Sequence, residues 1–135
     1  MGELRFADVA EGVRATIAAY TQALDDGRTD DVVASFCSDG SCDIPGLGSF
    51  EGHDALRDAY RQVEPRRPQR HLVVNTSVTA WSDDEAEATS DVVFLLLLRE
   101  KGWSVQLVGR YHDELRREGD TWRFRRRTAE FVSPA

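Results

Sequence analysis

Apolar residues along this chain follow first one period and then another. Phe6, Val9, Val13, Ile17, Tyr20 and Leu24 recur every three or four positions, the stripe of an amphipathic helix. Asp8 and Glu11 stand at capping-box spacing near its start, and Gly27 after Asp25-Asp26 supplies its stop. A shorter helix is predicted from Thr29-Asp30-Asp31, packed through Val32, Val33 and Phe36. Ser38-Asp39-Gly40 then turns the chain. Two short strands, Ser41 to Ile44 and Gly48 to Glu51, flank Pro45-Gly46. A third helix is predicted over His53 to Val63, with Leu56, Ala59 and Tyr60 on its inner face. Pro65 and Pro68 bound the linker that follows, because neither can continue a helix.

From Arg70 onward the period shortens to two, which predicts four long strands: Arg70 to Trp81, Glu85 to Arg99, Trp103 to Arg116 and Trp122 to Phe131. Polar or glycine-bearing turns separate them. Helices that lead into a run of antiparallel strands define an α+β fold. The expectation is a single domain over residues 1–135, in which a curved antiparallel sheet wraps three N-terminal helices as a cone. The segment from Val92 to Leu98 is apolar at every position. An antiparallel strand with one wet face would alternate, so this strand is expected to be covered on both faces, the outer one by a second copy in a homodimer.

Composition narrows the function. The net charge is −7, from 24 acidic against 17 basic residues, which argues against a nucleic-acid or anionic-membrane partner. Cys37 and Cys42 are the only cysteines, too few for a zinc site. No run approaches membrane-spanning length, and the N-terminus has no apolar signal core. These features predict a soluble, cytoplasmic protein with no membrane association. No glycine-rich phosphate loop, G-x-S-x-G elbow or H-E-x-x-H is present, so neither a cofactor nor a metal is expected.

The candidate chemistry centres on His71. Alternation places it with Val73 and Asn75 on one strand face, and an imidazole can exchange a proton near neutral pH. Asp25 ends the first helix, where a carboxylate faces the unfavourable end of the helix dipole. Turned inward, it could hold His71, fix its tautomer and raise its basicity. Tyr111 shares a face with Gly109 and Asp113, and its hydroxyl could hold a substrate oxygen. His53 and His112 are expected to be solvated. Of Arg123, Arg125, Arg126 and Arg127, most are expected to be surface charges.

These segments resemble a known family. Tyr20-x-x-Ala23-Leu24-Asp25-x-Gly27, Phe36-x-x-Asp39-Gly40 and Phe50-x-Gly52 look like the front half of a SnoaL-like domain of the nuclear-transport-factor-two-like superfamily. Gln69-Arg70-His71 with Asn75, Gly109-x-Tyr111-x-Asp113 and Gly119-Asp120-x-Trp122-Arg123-Phe124 look like its back half. The superfamily includes scytalone dehydratases, polyketide cyclases and steroid isomerases, so the resemblance implies a cone fold more strongly than any one activity. Asp25 and His71 fall where scytalone dehydratase carries its supporting Asp and its acid–base His. The family enzyme's second His falls at Leu96, its two carbonyl-holding tyrosines at Leu24 and Ile44, and its later Ser and Asn at Gly109 and Tyr111. Only the acid–base pair is retained.

Two functions are therefore carried forward. The first is a cofactor-independent lyase or isomerase (dehydratase, isomerase or cyclase) acting on a small hydrophobic cyclic carbonyl compound. His71 and Asp25 would be catalytic, with Tyr111 and Asn75 as oxygen binders and Ile44, Val73, Val92, Phe94 and Leu96 as apolar wall. The second is a non-catalytic hydrophobic-ligand-binding or assembly protein of the same fold, including a role like that of a ring-hydroxylating dioxygenase small subunit.

Overall fold

The computed structural model describes residues 3–134. Helices α1 (Phe6–Asp25) and α2 (Thr29–Ala34) lead into strands β1 (Phe36–Ile44) and β2 (Gly48–Glu51). Helix α3 (His53–Arg61) follows, and then strands β3 (Gln69–Trp81), β4 (Glu85–Leu98), β5 (Gly102–Glu118) and β6 (Thr121–Phe131). The strands form one curved sheet in the order β2-β1-β6-β5-β4-β3, with the helices packed against it. The architecture is the expected α+β cone. Every neighbouring pair is antiparallel except β1 and β6, which run parallel. Among the described residues no helix is long and apolar enough to cross a membrane.

The apolar stripe of α1 forms the centre of the core. Val9, Val13, Ile17, Tyr20 and Ala23 meet Phe36, Leu56, Leu115, Trp122 and Phe124. The helix starts at Phe6, where the apolar stripe begins; the backbone N–H of Arg5 donates to Asp8 Oδ2 at 3.0 Å, so the capping box pairs Arg5 with Asp8 rather than Asp8 with Glu11. It ends as predicted at Gly27, whose φ of 72° no β-carbon opposes. The N–H of Arg28 reaches Ala23 O at 2.9 Å and the N–H of Gly27 reaches Leu24 O, which closes the last turn immediately after Asp25.

Three local expectations are corrected. Strand β1 begins at Phe36 and includes Ser38, Asp39 and Gly40 instead of turning there. Its register against β6 shifts between Phe36 and Ser41, so a bulge occupies the polar triplet that reads as a turn. Arg127 is not a surface charge but fully buried. Glu114 pairs with Arg126 and Leu115 with Phe124, leaving Arg125 as an extra residue on β6. That bulge moves the inward period by one, so Phe124 and Arg127 both face the interior. His53 is not simply solvated either, since its Nε2 meets Phe36 O at 2.9 Å.

Candidate active site

The end of α1 and the start of β3 bring Asp25 and His71 together. His71 Nδ1 lies 2.6 Å from Asp25 Oδ1, and the backbone N–H of His71 donates to Oδ2 at 2.8 Å. Gln69 Nε2 also donates to Oδ1, at 3.1 Å. The carboxylate is 5% exposed and the imidazole 15%. A carboxylate this buried is held as an acceptor by three donors, so a neutral His71 keeps its hydrogen on Nδ1. Nε2 then carries the lone pair, and it has no protein partner among the described residues. The imidazole stacks on Phe94 at 4.5 Å between centroids, with 26° between the planes. This follows from register, because His71 and Phe94 are directly opposed on β3 and β4.

His71 opens on a cavity of about 240 Å³ inside the cone. Leu24, Ile44, Leu47, Val63, Phe94, Leu107 and Phe131 supply most of its wall, and Tyr20, Tyr60, Gln69 and Tyr111 its polar points. Gly109 helps to shape the mouth. A β-carbon there would come within 2.5 Å of Glu130 O and 2.8 Å of the Phe131 ring, so only glycine lets that ring lean over β5. Tyr111 is 5% exposed, and its hydroxyl has no protein partner among the described residues. Burial raises its pKa, and Asp25 is near enough to add to that rise.

Behind the cavity sits an ion pair with no contact to solvent. Arg127 Nε donates to Asp113 Oδ1 at 2.8 Å and Nη2 to Oδ2 at 3.1 Å, both side chains being 0% exposed. The guanidinium carbon lies 3.6 Å from the Tyr111 ring centre, 4.4 Å from that of Tyr20 and 4.5 Å from that of Phe124. Burial opposes the charge of Arg127, but the attraction of Asp113 and the phenols outweighs it and keeps the group protonated. Nη1 is left without a partner among the described residues.

Of the residues expected to form the site, Asp25, His71, Tyr111, Ile44 and Phe94 are brought together. Asn75, Val73, Val92 and Leu96 do not line the cavity. Val73 packs on the core and Val92 is buried beside it. Leu96 pairs with Gln69, beyond Phe94 along β4. Asn75 is exposed with a φ of 56°, at a break in register between Val74 and Ser77. The bulge interrupts the period of two, and the Asn75 amide donates instead to Asp91 Oδ2 at 2.8 Å. Asp91 also accepts from Arg110 Nε at 2.9 Å.

The helical stripes of α1 and α3 predict Tyr20 and Tyr60 only as core residues. Their hydroxyls are 2.7 Å apart and both side chains line the cavity. The helical stripe puts each ring inward, but nothing along the chain brings residues 40 positions apart into one hydrogen bond. Gln69 belongs to the motif that carries the family resemblance but is not among the expected site residues; β3 starts at Gln69, and alternation from His71 puts it on the inward face.

A family model described as the SnoaL-like domain matches residues 6–128. No curated protein matches the chain. Among solved structures, a Mycobacterium tuberculosis protein of unknown function superposes with a TM-score of 0.84 at 22% identity, over 93% of this chain and 72% of that one. A candidate scytalone dehydratase from Novosphingobium aromaticivorans gives 0.81 at 21% identity, over 92% and 84%. ActVI-ORFA from Streptomyces coelicolor gives 0.81 at 22% identity, over 91% and 96%. At these identities the likeness is one of fold.

Proposed function

The chain belongs to the SnoaL-like family, and on that premise we propose that its cavity is an acid–base site for a small hydrophobic cyclic carbonyl compound. His71 Nε2 takes a proton from the carbon next to the carbonyl. The C–H electrons form a carbon–carbon double bond, and the carbonyl electrons move to the oxygen, giving an enolate. The imidazolium that results is stabilised by Asp25 and returns the proton to the ligand. Where a second C=C bond is conjugated with the enolate, the proton goes to the far carbon as the carbonyl re-forms and the double bond shifts. In a β-hydroxyketone the enolate electrons re-form the carbonyl and make a C=C bond as the hydroxyl leaves, taking the proton as water. Tyr111 donates to a ligand oxygen. The one observation that carries this reading is the buried 2.6 Å contact of Asp25 with His71 Nδ1, which leaves Nε2 free at an apolar cavity. The fold's candidate scytalone dehydratase relative is consistent with it. The test is turnover on a panel of cyclic hydroxyketones: wild-type activity that His71→Ala abolishes supports the reading, and undiminished turnover by that variant removes it.

A second reading has its own support. Leu24, Ile44, Leu47 and Leu107 leave few polar groups on the wall, as a non-catalytic binder of hydrophobic ligands or an assembly subunit would require. Tight binding of a cyclic ketone with no turnover by wild type would favour it.

We also propose a homodimer through the outer face of the sheet. Leu72, Val105 and Val108 are 49%, 60% and 43% exposed on β3 and β5, with Val93 and Leu95 between them on β4. A second copy would cover this row. Sedimentation should give a dimer for wild type and a monomer for Val108→Arg; a wild-type monomer contradicts it.

A further inference from the structure

The charges of this acidic protein are not evenly spread. Arg61, Arg66, Arg67, Arg70, Arg99 and Lys101 are all exposed, and none lies within ion-pair distance of a carboxylate among the described residues. Apart from Arg14 and Arg126, every other arginine does. We infer that these cations form an anion-binding rim at the mouth of the cavity, and that the ligand is a hydrophobic ring carried on a flexible arm that bears phosphates. This needs the cavity to take a ligand, as already proposed, but does not need proton transfer by His71.

The fold gathers the cations from two segments. Arg61 ends α3, and Arg66 and Arg67 lie in the linker between Pro65 and Pro68, whose rings restrict the backbone. Val63 and Gln69 line the cavity, so the linker between them borders its opening. The N–H of Leu97 donates to Pro68 O at 3.0 Å, and Gln69 is opposed to Leu96. That register brings the end of β4, with Arg99 and Lys101 in the turn beyond it, alongside the linker. Arg70 Nη1 donates to Gln69 O at 2.7 Å, which holds its guanidinium at the start of β3. Within residues 61–70 and 99–101 the only acids are Glu64 and Glu100, and Glu64 already accepts from Thr29 Oγ1 at 2.6 Å.

Cations held together without counter-charges repel one another. A chain with a net charge of −7 has acids enough to neutralise this rim, yet leaves it positive, and such a patch concentrates anions. Guanidinium groups grip phosphate through paired N–H donors. From Arg66 to Arg70 the chain can span up to about 13 Å, wider than one carboxylate and suited to more than one phosphate. The anion cannot follow the ring inward. The wall is largely apolar, and Asp25, 5% exposed, already places a negative charge there. The cavity volume of about 240 Å³ is below the roughly 300–1,000 Å³ usual for drug-sized ligands. It holds a ring and leaves the rest of a larger molecule at the mouth.

The probes are two thioesters with the same acyl group, phenylacetyl-coenzyme A and phenylacetyl-N-acetylcysteamine. The first carries phosphates on a long arm and the second has none. Isothermal titration calorimetry in about 50 mM salt should show the coenzyme A thioester binding about tenfold or more tightly, and the gap should close in about 0.5 M salt. Arg66→Glu and Arg67→Glu should each weaken the coenzyme A thioester about threefold to tenfold and leave the short thioester unchanged. Both positions are exposed, and circular dichroism verifies that each variant is folded. Arg126→Glu, which reverses a charge on β6 outside the cavity wall, should change neither affinity. Equal affinity of the two thioesters in low salt overturns the inference and leaves the cations to an acidic protein surface. Failure of both to bind overturns it as well. So does a loss with Arg126→Glu as large as with Arg67→Glu, since net charge alone would then explain the effect. Free coenzyme A binding as tightly as its thioester also overturns it, because the rim would then act apart from the cavity. Failure of the acid–base reading is read separately, in turnover of cyclic hydroxyketones by His71→Ala, and leaves these affinities standing.

Discussion

Asp25 grips His71 at two points. One carboxylate oxygen meets ring Nδ1 at 2.6 Å, and the other accepts the backbone N–H of the same residue at 2.8 Å. A side chain held through its ring alone can swing. One whose backbone is tied to the same carboxylate keeps a fixed direction, and the Phe94 ring stacked on it removes most of the remaining freedom. Asp25→Asn preserves shape but offers an amide in place of a charge, so the favoured tautomer and the stabilisation of the imidazolium are both lost. Turnover is expected to fall by about two to four orders of magnitude with the circular dichroism spectrum unchanged. A loss smaller than tenfold would mean that the carboxylate is not part of the chemistry.

The protein has three tyrosines, and all three are Tyr20, Tyr60 and Tyr111 around the cavity. Burial raises each phenol above its ordinary value of 10.0. A raised acid pKa in the folded state stabilises the fold below the unfolded value and is lost as the pH climbs through the folded one. Absorbance near 295 nm should therefore show no tyrosinate as the pH passes about 10, and then rise in one step together with alkaline unfolding. A gradual rise near the ordinary value, before any unfolding, would show that the phenols are not sealed from water.

Breaking the buried pair should cost far more than replacing it. Arg127→Met leaves Asp113 charged, buried and without its partner, and is expected to cost about 3–5 kcal/mol in urea denaturation. The double variant Arg127→Met with Asp113→Leu should recover most of that loss, since two apolar side chains need no solvation. A double variant no more stable than Arg127→Met would contradict this.

Gly109→Ala should destabilise by about 1–3 kcal/mol, because a β-carbon there meets the Glu130 carbonyl, which is backbone and cannot swing away, and the Phe131 ring. The displaced Phe131 should also loosen ligand binding at the mouth. Thermal unfolding checks the first effect, and a melting temperature equal to wild type would contradict it.

Much of this arrangement is legible along the chain, for reasons that differ by residue. The four long strands follow from alternating or continuously apolar runs separated by polar turns, whereas the inward turn of Asp25 is left open by the residues themselves and is implied by the family resemblance. His71 and Phe94 come together because both strands alternate in register. Three of the failures share one cause: bulges. A single extra residue at Arg125 turns Arg127 inward, a left-handed Asn75 turns that amide outward, and a shift within Phe36–Ser41 makes strand from what reads as turn. Each reverses the period of two beyond it, and residue type alone does not locate the extra residue. The Tyr20–Tyr60 contact was hidden differently. Both residues satisfy the helical stripe as core, and their meeting depends on how α1 and α3 cross.

The most direct test of the account is proton exchange rather than net reaction, since it needs only the removal of a proton beside a carbonyl. Proton NMR in deuterium oxide would follow loss of the α-proton signal from small cyclic ketones, with wild type, His71→Ala and Tyr111→Phe compared at equal concentration. The account predicts exchange accelerated by wild type, reduced to the uncatalysed rate by His71→Ala and slowed by Tyr111→Phe. Exchange at the same rate with wild type and His71→Ala, or no acceleration by wild type for any ketone that it binds, would contradict it.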